Sequence, residues 1–219
     1  MIFLLRINNH SNTSQFPWAQ VEARIYSFSF LSMRHVIVAR TINQSDESSA
    51  VLDVFDFLAT WPENAQLVCR FQLPHLTDIN SVQRLTIRSD SSPKPSSQPP
   101  TSNGRPFYTA PSSCLLTVSM DFMSETGNPY NFILFVHHSA LLEYLQPSSG
   151  DVAVPWKDWG PKRTRMIHTR YNERTFVNYV HGTRYVRLDS MARYGPQHLR
   201  MMDFNPFALS RGVSHPMFL

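Results

Sequence analysis

Ser27-Phe28-Ser29-Phe30-Leu31, then His35-Val36-Ile37-Val38-Ala39-Arg40, then Ala50-Val51-Leu52-Asp53-Val54-Phe55-Asp56-Phe57: these three runs decide the fold. Each is short and rich in β-branched and aromatic residues, which suit a pleated, half-buried surface. Between the second and third lies the polar stretch Thr41 to Ser49, centred on Asn43-Gln44-Ser45-Asp46. Run, polar turn, run is the hairpin arrangement.

The pattern repeats outward. Gln66 to Leu73 is a further run, closed by Pro74, which cannot donate to a ladder. Val82 to Arg88 follows, then Leu115 to Phe122 and Asn131 to Val136 around the turn Thr126-Gly127-Asn128-Pro129. Arg165 to His168, Thr175 to Val180, Arg184 to Leu188 and Leu199 to Phe204 complete the series. His181-Gly182-Thr183 forms a tight turn, with glycine where positive φ is cheap. Only His138 to Leu145 has a helical look, with Ser139 placed as its N-cap.

Composition agrees. Charged residues make up 16% of the 219-residue chain and aromatics 12%. That profile suits strands and polar turns better than Ala/Glu/Lys-rich helices. The expected fold is all-β, a single domain over residues 1–219. Ser89 to Ser113, dense in Ser and Pro, has little to bury and reads as a mobile insertion within that domain.

Leu52-Asp53-Val54-Phe55-Asp56-Phe57 and Leu199-Arg200-Met201-Met202-Asp203-Phe204 share the pattern Leu-x-apolar-apolar-Asp-Phe. Without the insertion they stand about three blade lengths apart, at roughly 40–45 residues per propeller blade. The spacing predicts a propeller-like array of about four to five blades, too few for a standard closed ring. Asp56 and Asp203, at matching points of the echo, are expected to bond turn backbone N–H groups.

Val154-Pro155-Trp156-Lys157-Asp158-Trp159-Gly160-Pro161, with Thr164-Arg165-Met166, resembles a recurrent segment of F-box proteins from mushroom-type basidiomycete fungi. Tyr179 to Val186 and Leu199 to Pro206 are similar to two further segments of that family, in the same order. The resemblance implies a propeller-like domain that recognises protein substrates for a ubiquitin ligase. An F-box itself, some forty residues with Leu-Pro and helical apolar spacing, is not legible in residues 1–26.

Other chemistry finds little support. There is no Cys-x-x-Cys, no helical His-x-x-x-His, no Gly-x-Ser-x-Gly and no glycine-rich phosphate cradle among 7 glycines. His137 and His138 are adjacent and point apart if extended, and Asp53 and Asp56 lie on opposite faces of one strand. Cys69 and Cys114 sit in apolar runs and are read as free thiols. Neither a metal nor a cofactor nor catalysis is expected. No 18-residue apolar stretch exists to span a bilayer as a helix, and the chain reads as intracellular, cytoplasmic or nuclear.

Charge is uneven: residues 1–150 carry a net −2 and residues 151–219 a net +6, with 17 Arg against 3 Lys. Trp156 and Trp159 beside Lys162, Arg163 and Arg165 form the candidate partner-binding set, since aromatics flanked by guanidiniums can grip a peptide. The alternative for the same residues is a nucleic-acid or glycan surface. The bland counterpart packs Trp156 inside the fold, makes Gly160-Pro161 a turn and leaves the charges solvated.

Overall fold

The structure, a computed structural model, describes residues 24–44, 47–58, 65–75, 79–90, 114–124, 126–145, 152–169, 178–190 and 197–205. It is mostly β. Strands β1 (Arg24–Phe30), β2 (His35–Gln44), β3 (Glu47–Asp56) and β4 (Gln66–Gln72) form an antiparallel meander. A short fifth strand, β8 (Val152–Val154), joins β4 in parallel, and together these make sheet A. Sheet B is the meander β5 (Ile79–Ser89), β6 (Leu115–Ser124), β7 (Pro129–His137) and β9 (Thr164–Thr169). Sheet C is β10 (Asn178–His181), β11 (Arg184–Ser190) and β12 (Gln197–Asp203). Helices α1 (His138–Leu142) and α2 (Trp156–Arg163) lie between β7 and β9 in the chain.

Strict alternation sets the layers. Ile37, Ala39, Leu52 and Val54 turn one face of sheet A toward Leu85, Ile87, Leu116, Val118, Met120, Leu134 and Val136 of sheet B, forming the main core. The other face of sheet B, with Leu115, Ile133 and Phe135, packs on Val180 and Tyr185 of sheet C. Sheet B is therefore the middle layer. Polar bonds fix the A–B junction where β1 meets β5: Ser27 Oγ accepts from Ile87 N–H (3.1 Å), and the Tyr26 hydroxyl donates to the Val82 carbonyl (3.1 Å). At the B–C junction Leu115 N–H donates to the Gly182 carbonyl, and Gly182 N–H donates to the Asp90 carboxylate. His181 Nδ1 faces the same carboxylate at 3.2 Å.

Gly182 adopts the positive φ expected of its turn, +58°, and Gly127 in the turn before β7 does so too, at +78°. Both cysteines are free, and burial pushes the Cys69 thiol up to about 12. Among the described residues the strands make three sheets rather than four to five, and they do not close into a barrel or ring. The middle unit is long: between β7 and β9 the chain detours through α1, β8 and α2. Ser89, assigned to the insertion, ends β5 opposite Leu116 and shares a hydroxyl bond with Ser29. Residues 91–113 lie outside the described set, as do residues 175–177 of the run assigned to Thr175–Val180.

The echo has a structural basis. Asp56 closes β3 opposite His35, and Phe57 N–H bonds the Arg34 carbonyl; Asp203 closes β12 opposite Arg184, and Phe204 N–H bonds the Thr183 carbonyl. Each carboxylate accepts the N–H two residues on, from Leu58 (2.9 Å) and Asn205 (3.0 Å). Each also accepts from an arginine of the facing strand end, Arg34 (2.5 Å) and Arg184 (3.2 Å). Both therefore occupy the third-strand position of a meander.

Helix α1 is capped two residues earlier than expected. Its N-cap position is His137, without a side-chain cap, and Ser139 lies inside the helix. His138, the first residue of the helix, is buried, its ring hydrogen-bonded to the backbone of Leu31 just after β1, while its Nε2 meets no partner among the described residues. Burial lowers the His138 pKa to about 4. In the unfolded chain the imidazole protonates near its ordinary 6.5, so the unfolded state binds more protons below that value. Stability is fully present above pH 6.5 and falls as pH drops toward 4, by about 3 kcal/mol from this group. His35, also depressed by burial, adds in the same direction. Urea midpoints measured between pH 7 and 5 should fall in the native chain, and the slope should flatten in His138→Phe.

Candidate recognition surface

The segment singled out for its tryptophans is not a turn. β8 adds to β4 through Cys69, Arg70 and Phe71, and Pro155 in extended backbone (φ −62°, ψ 147°) then caps α2. Gly160 and Pro161 lie within the helix. Pro161 lacks an N–H, but it sits in the last turns, where the freed carbonyl can meet water. The helix ends at Thr164, whose N–H and hydroxyl both reach the Gly160 carbonyl.

The inward side of α2 is aromatic. Trp159 is fully buried, and its indole N–H donates to the Gln72 carbonyl at 2.9 Å. Its ring lies 5.1 Å from Phe71 and 5.2 Å from Trp156, centroid to centroid. Phe71 in turn meets Tyr144 edge-on at 5.6 Å. Trp156 is partly buried against the same core. The two tryptophans thus join the outer edge of sheet A to β9 of sheet B and form part of the interior. This is the arrangement in which Trp156 packs inside the fold, with a helix in place of the expected turn.

Gly160 is where Trp156 needs space. A Cβ at that position would overlap the six-membered ring of the Trp156 indole, a stiff body and not a flexible end. Gly160→Ala should therefore cost about 1–3 kcal/mol by overpacking, although alanine is the better helix former. A thermal melt checks this; equal or higher stability in the variant would contradict the packing.

The outward side is charged, with cations in excess over the exposed Asp158. Lys157, Lys162, Arg163 and Arg165 are exposed. Arg163 reaches Glu143 at the end of α1 at 2.6 Å, an exposed pair, and Arg165 donates to the Thr164 carbonyl at 3.0 Å. Lys157, Lys162 and Arg165 make no ion pair among the described residues. The cations of the last turn also sit favourably at the negative end of the helix. Of the five residues picked from sequence, the structure leaves Lys162 and Arg163 of α2 and Arg165 of β9 on the surface, and turns Trp159 fully and Trp156 partly into the interior.

Sequence reasoning missed a second polar cluster. On the far face of sheet A, fully buried Asp53 accepts from Arg70 Nε (2.8 Å) and Nη2 (3.1 Å) and pairs with Arg40 Nη2. The arginine side chains are only 17% and 14% exposed. An aspartate in mid-run, between Leu52 and Val54, was the available signal. Asp53 and Asp56 do lie on opposite faces, the first held by Arg40 and Arg70 and the second by Arg34.

No group of three or more His, Cys, Asp or Glu side chains among the described residues is placed to hold a metal ion. No described helix is long and apolar enough to cross a membrane. Fold and site together define an all-β chain of stacked antiparallel sheets with a rigid, positively charged helix on its flank. Compared with protein-family models, curated proteins and solved structures, the chain matches none.

Proposed function

We propose that the chain is a non-enzymatic protein-recognition module built as a propeller-like array, and that it serves as the substrate-binding part of an F-box-type ubiquitin-ligase protein. The observation that carries the recognition reading is the set of exposed cations Lys157 and Lys162 on α2 and Arg165 on β9, which make no ion pair among the described residues, with α2 anchored by the buried Trp159. Rigid placement lowers the entropic cost of binding, and the excess of cations on and beside α2 favours an acidic partner segment. The repeated Asp-Phe strand ends of sheets A and C support the blade reading, because both fall at the same position of a meander.

The uncompensated cations also favour the nucleic-acid reading, and salt separates the two. A phosphate-binding surface loses retention on a polyanion column with a slope set by the number of phosphates contacted. The protein-recognition reading expects weak retention, gone by physiological salt. Proximity labelling in cells would then compare the native chain with Lys162→Glu/Arg165→Glu at equal abundance. Loss of a defined set of labelled proteins supports the proposal, whereas unchanged labelling together with steep salt-dependent retention of nucleic acid sinks it.

A further inference from the structure

The two edges of sheet B differ. At β5 the junction with β1 closes the sheet through Ser27 and Tyr26. At the other end β9 has no strand beyond it among the described residues. An open edge offers a row of unused backbone donors and acceptors.

Register fixes which groups those are. His138 N–H donates to the Cys114 carbonyl, so Leu115 and His137 are a pair without mutual backbone bonds. Alternation along β7 then turns the backbone of Asn131, Ile133 and Phe135 toward β9, onto Thr169, Ile167 and Arg165. Thr164, Met166 and His168 therefore point their N–H and C=O groups outward. Thr164 is already engaged: its N–H reaches the Gly160 carbonyl, and its own carbonyl accepts from the Arg165 guanidinium. The N–H and carbonyl groups of Met166 and His168 meet no backbone partner among the described residues, and both residues are exposed.

The two sides of β9 carry different chemistry. Met166 and His168 lie on the side of Leu134 and Phe132, where the His168 ring is 5.9 Å from Tyr130 and Tyr130 and Met166 are 37% and 40% exposed. Arg165 lies on the opposite side, exposed and in no ion pair among the described residues. Lys162 and Arg163 end α2 immediately before it, and of these three cations only Arg163 has an acidic partner, Glu143.

We propose that an extended segment of a partner protein adds antiparallel to β9 as a fifth strand of sheet B, with acidic residues across from Arg165 and apolar residues across from Met166 and His168. This rests on the reading of the cations as a surface for an acidic protein segment and adds the backbone to it. Main-chain bonds then supply affinity and alternate side chains specificity. The residue across from Arg165 approaches most closely, because that pair carries no mutual backbone bonds. Antiparallel addition continues the pairing of sheet B and is the more stable kind. Charge selects the occupant: β9 of a second copy would bring the same cations against themselves.

Fluorescence anisotropy of the full chain at neutral pH, with a short peptide alternating valine and glutamate, tests the proposal. In antiparallel addition the valine N–H groups face β9 and the glutamate N–H groups face away. Methylating the valine nitrogens should weaken binding at least about tenfold, whereas methylating the glutamate nitrogens should change it little. Lys162→Glu/Arg165→Glu should also weaken the unmethylated peptide. No binding, equal binding of all the peptides, or loss confined to the glutamate-methylated one overturns the proposal. Binding that falls on charge reversal but ignores methylation keeps the cationic surface and removes the added strand. Methylation-sensitive binding that ignores charge reversal removes the acidic-partner reading, and the choice of occupant with it.

Discussion

Asp53→Ala is expected to remove about 3–5 kcal/mol, as much as half the stability of an ordinary domain. The carboxylate is fully buried between two guanidiniums that are themselves nearly buried, and its removal strands both cations on the far face of sheet A. The loss exceeds the value of the ion pairs, because a buried unpaired charge carries the desolvation cost as well. Asp53→Asn keeps the shape and loses the charge, so it should be nearly as damaging. Replacing the whole cluster is different: Arg40→Met/Asp53→Leu/Arg70→Met should be close to neutral, since Arg40 Nε is already buried without a hydrogen-bond partner among the described residues. Urea denaturation of the four chains measures this. A small effect of Asp53→Ala would mean that the cluster is hydrated and weak.

Trp159→Ala should cost a similar amount, about 3–5 kcal/mol for a buried large aromatic. Two losses combine. The cavity forfeits contacts with Phe71 and Trp156, and the Gln72 carbonyl loses its donor. Trp159→Phe separates them: the ring contacts largely remain while the hydrogen bond goes, so about 1–2 kcal/mol is expected. Because α2 is held to sheet A by this side chain, the alanine variant should also become cleavable by trypsin at Lys157 and Lys162 under native conditions. Resistance equal to that of the native chain would show that Trp159 is not what holds the helix.

The run and turn pattern made the strands legible, because period-two alternation and turn chemistry are local. Gln66 to Leu73, Leu115 to Phe122 and Arg184 to Leu188 each became strands with small shifts of their ends. The Asp-Phe echo was legible for the same reason: the carboxylate bonds its own chain two residues later. What failed was non-local. Nothing near Val152 signals that it will lie parallel to β4, and Pro161 argued against a helix whose stability comes from burying Trp156 and Trp159. The candidate site was half legible. Its residue types were right, but which of them face inward depends on α2 being a helix. The Arg40–Asp53–Arg70 cluster was hidden because its members sit on three different strands.

The account stands most directly on whether the basic strip binds an acidic protein segment. Peptides selected from a random display library by the purified chain would be titrated against the native protein and against Lys162→Glu/Arg165→Glu of matched thermal stability. The account predicts acidic sequences whose affinity falls at least about tenfold in the charge-reversed chain, a loss of about 1.4 kcal/mol. Selected peptides without acidic character, or binding that is indifferent to the charge reversal, would contradict it.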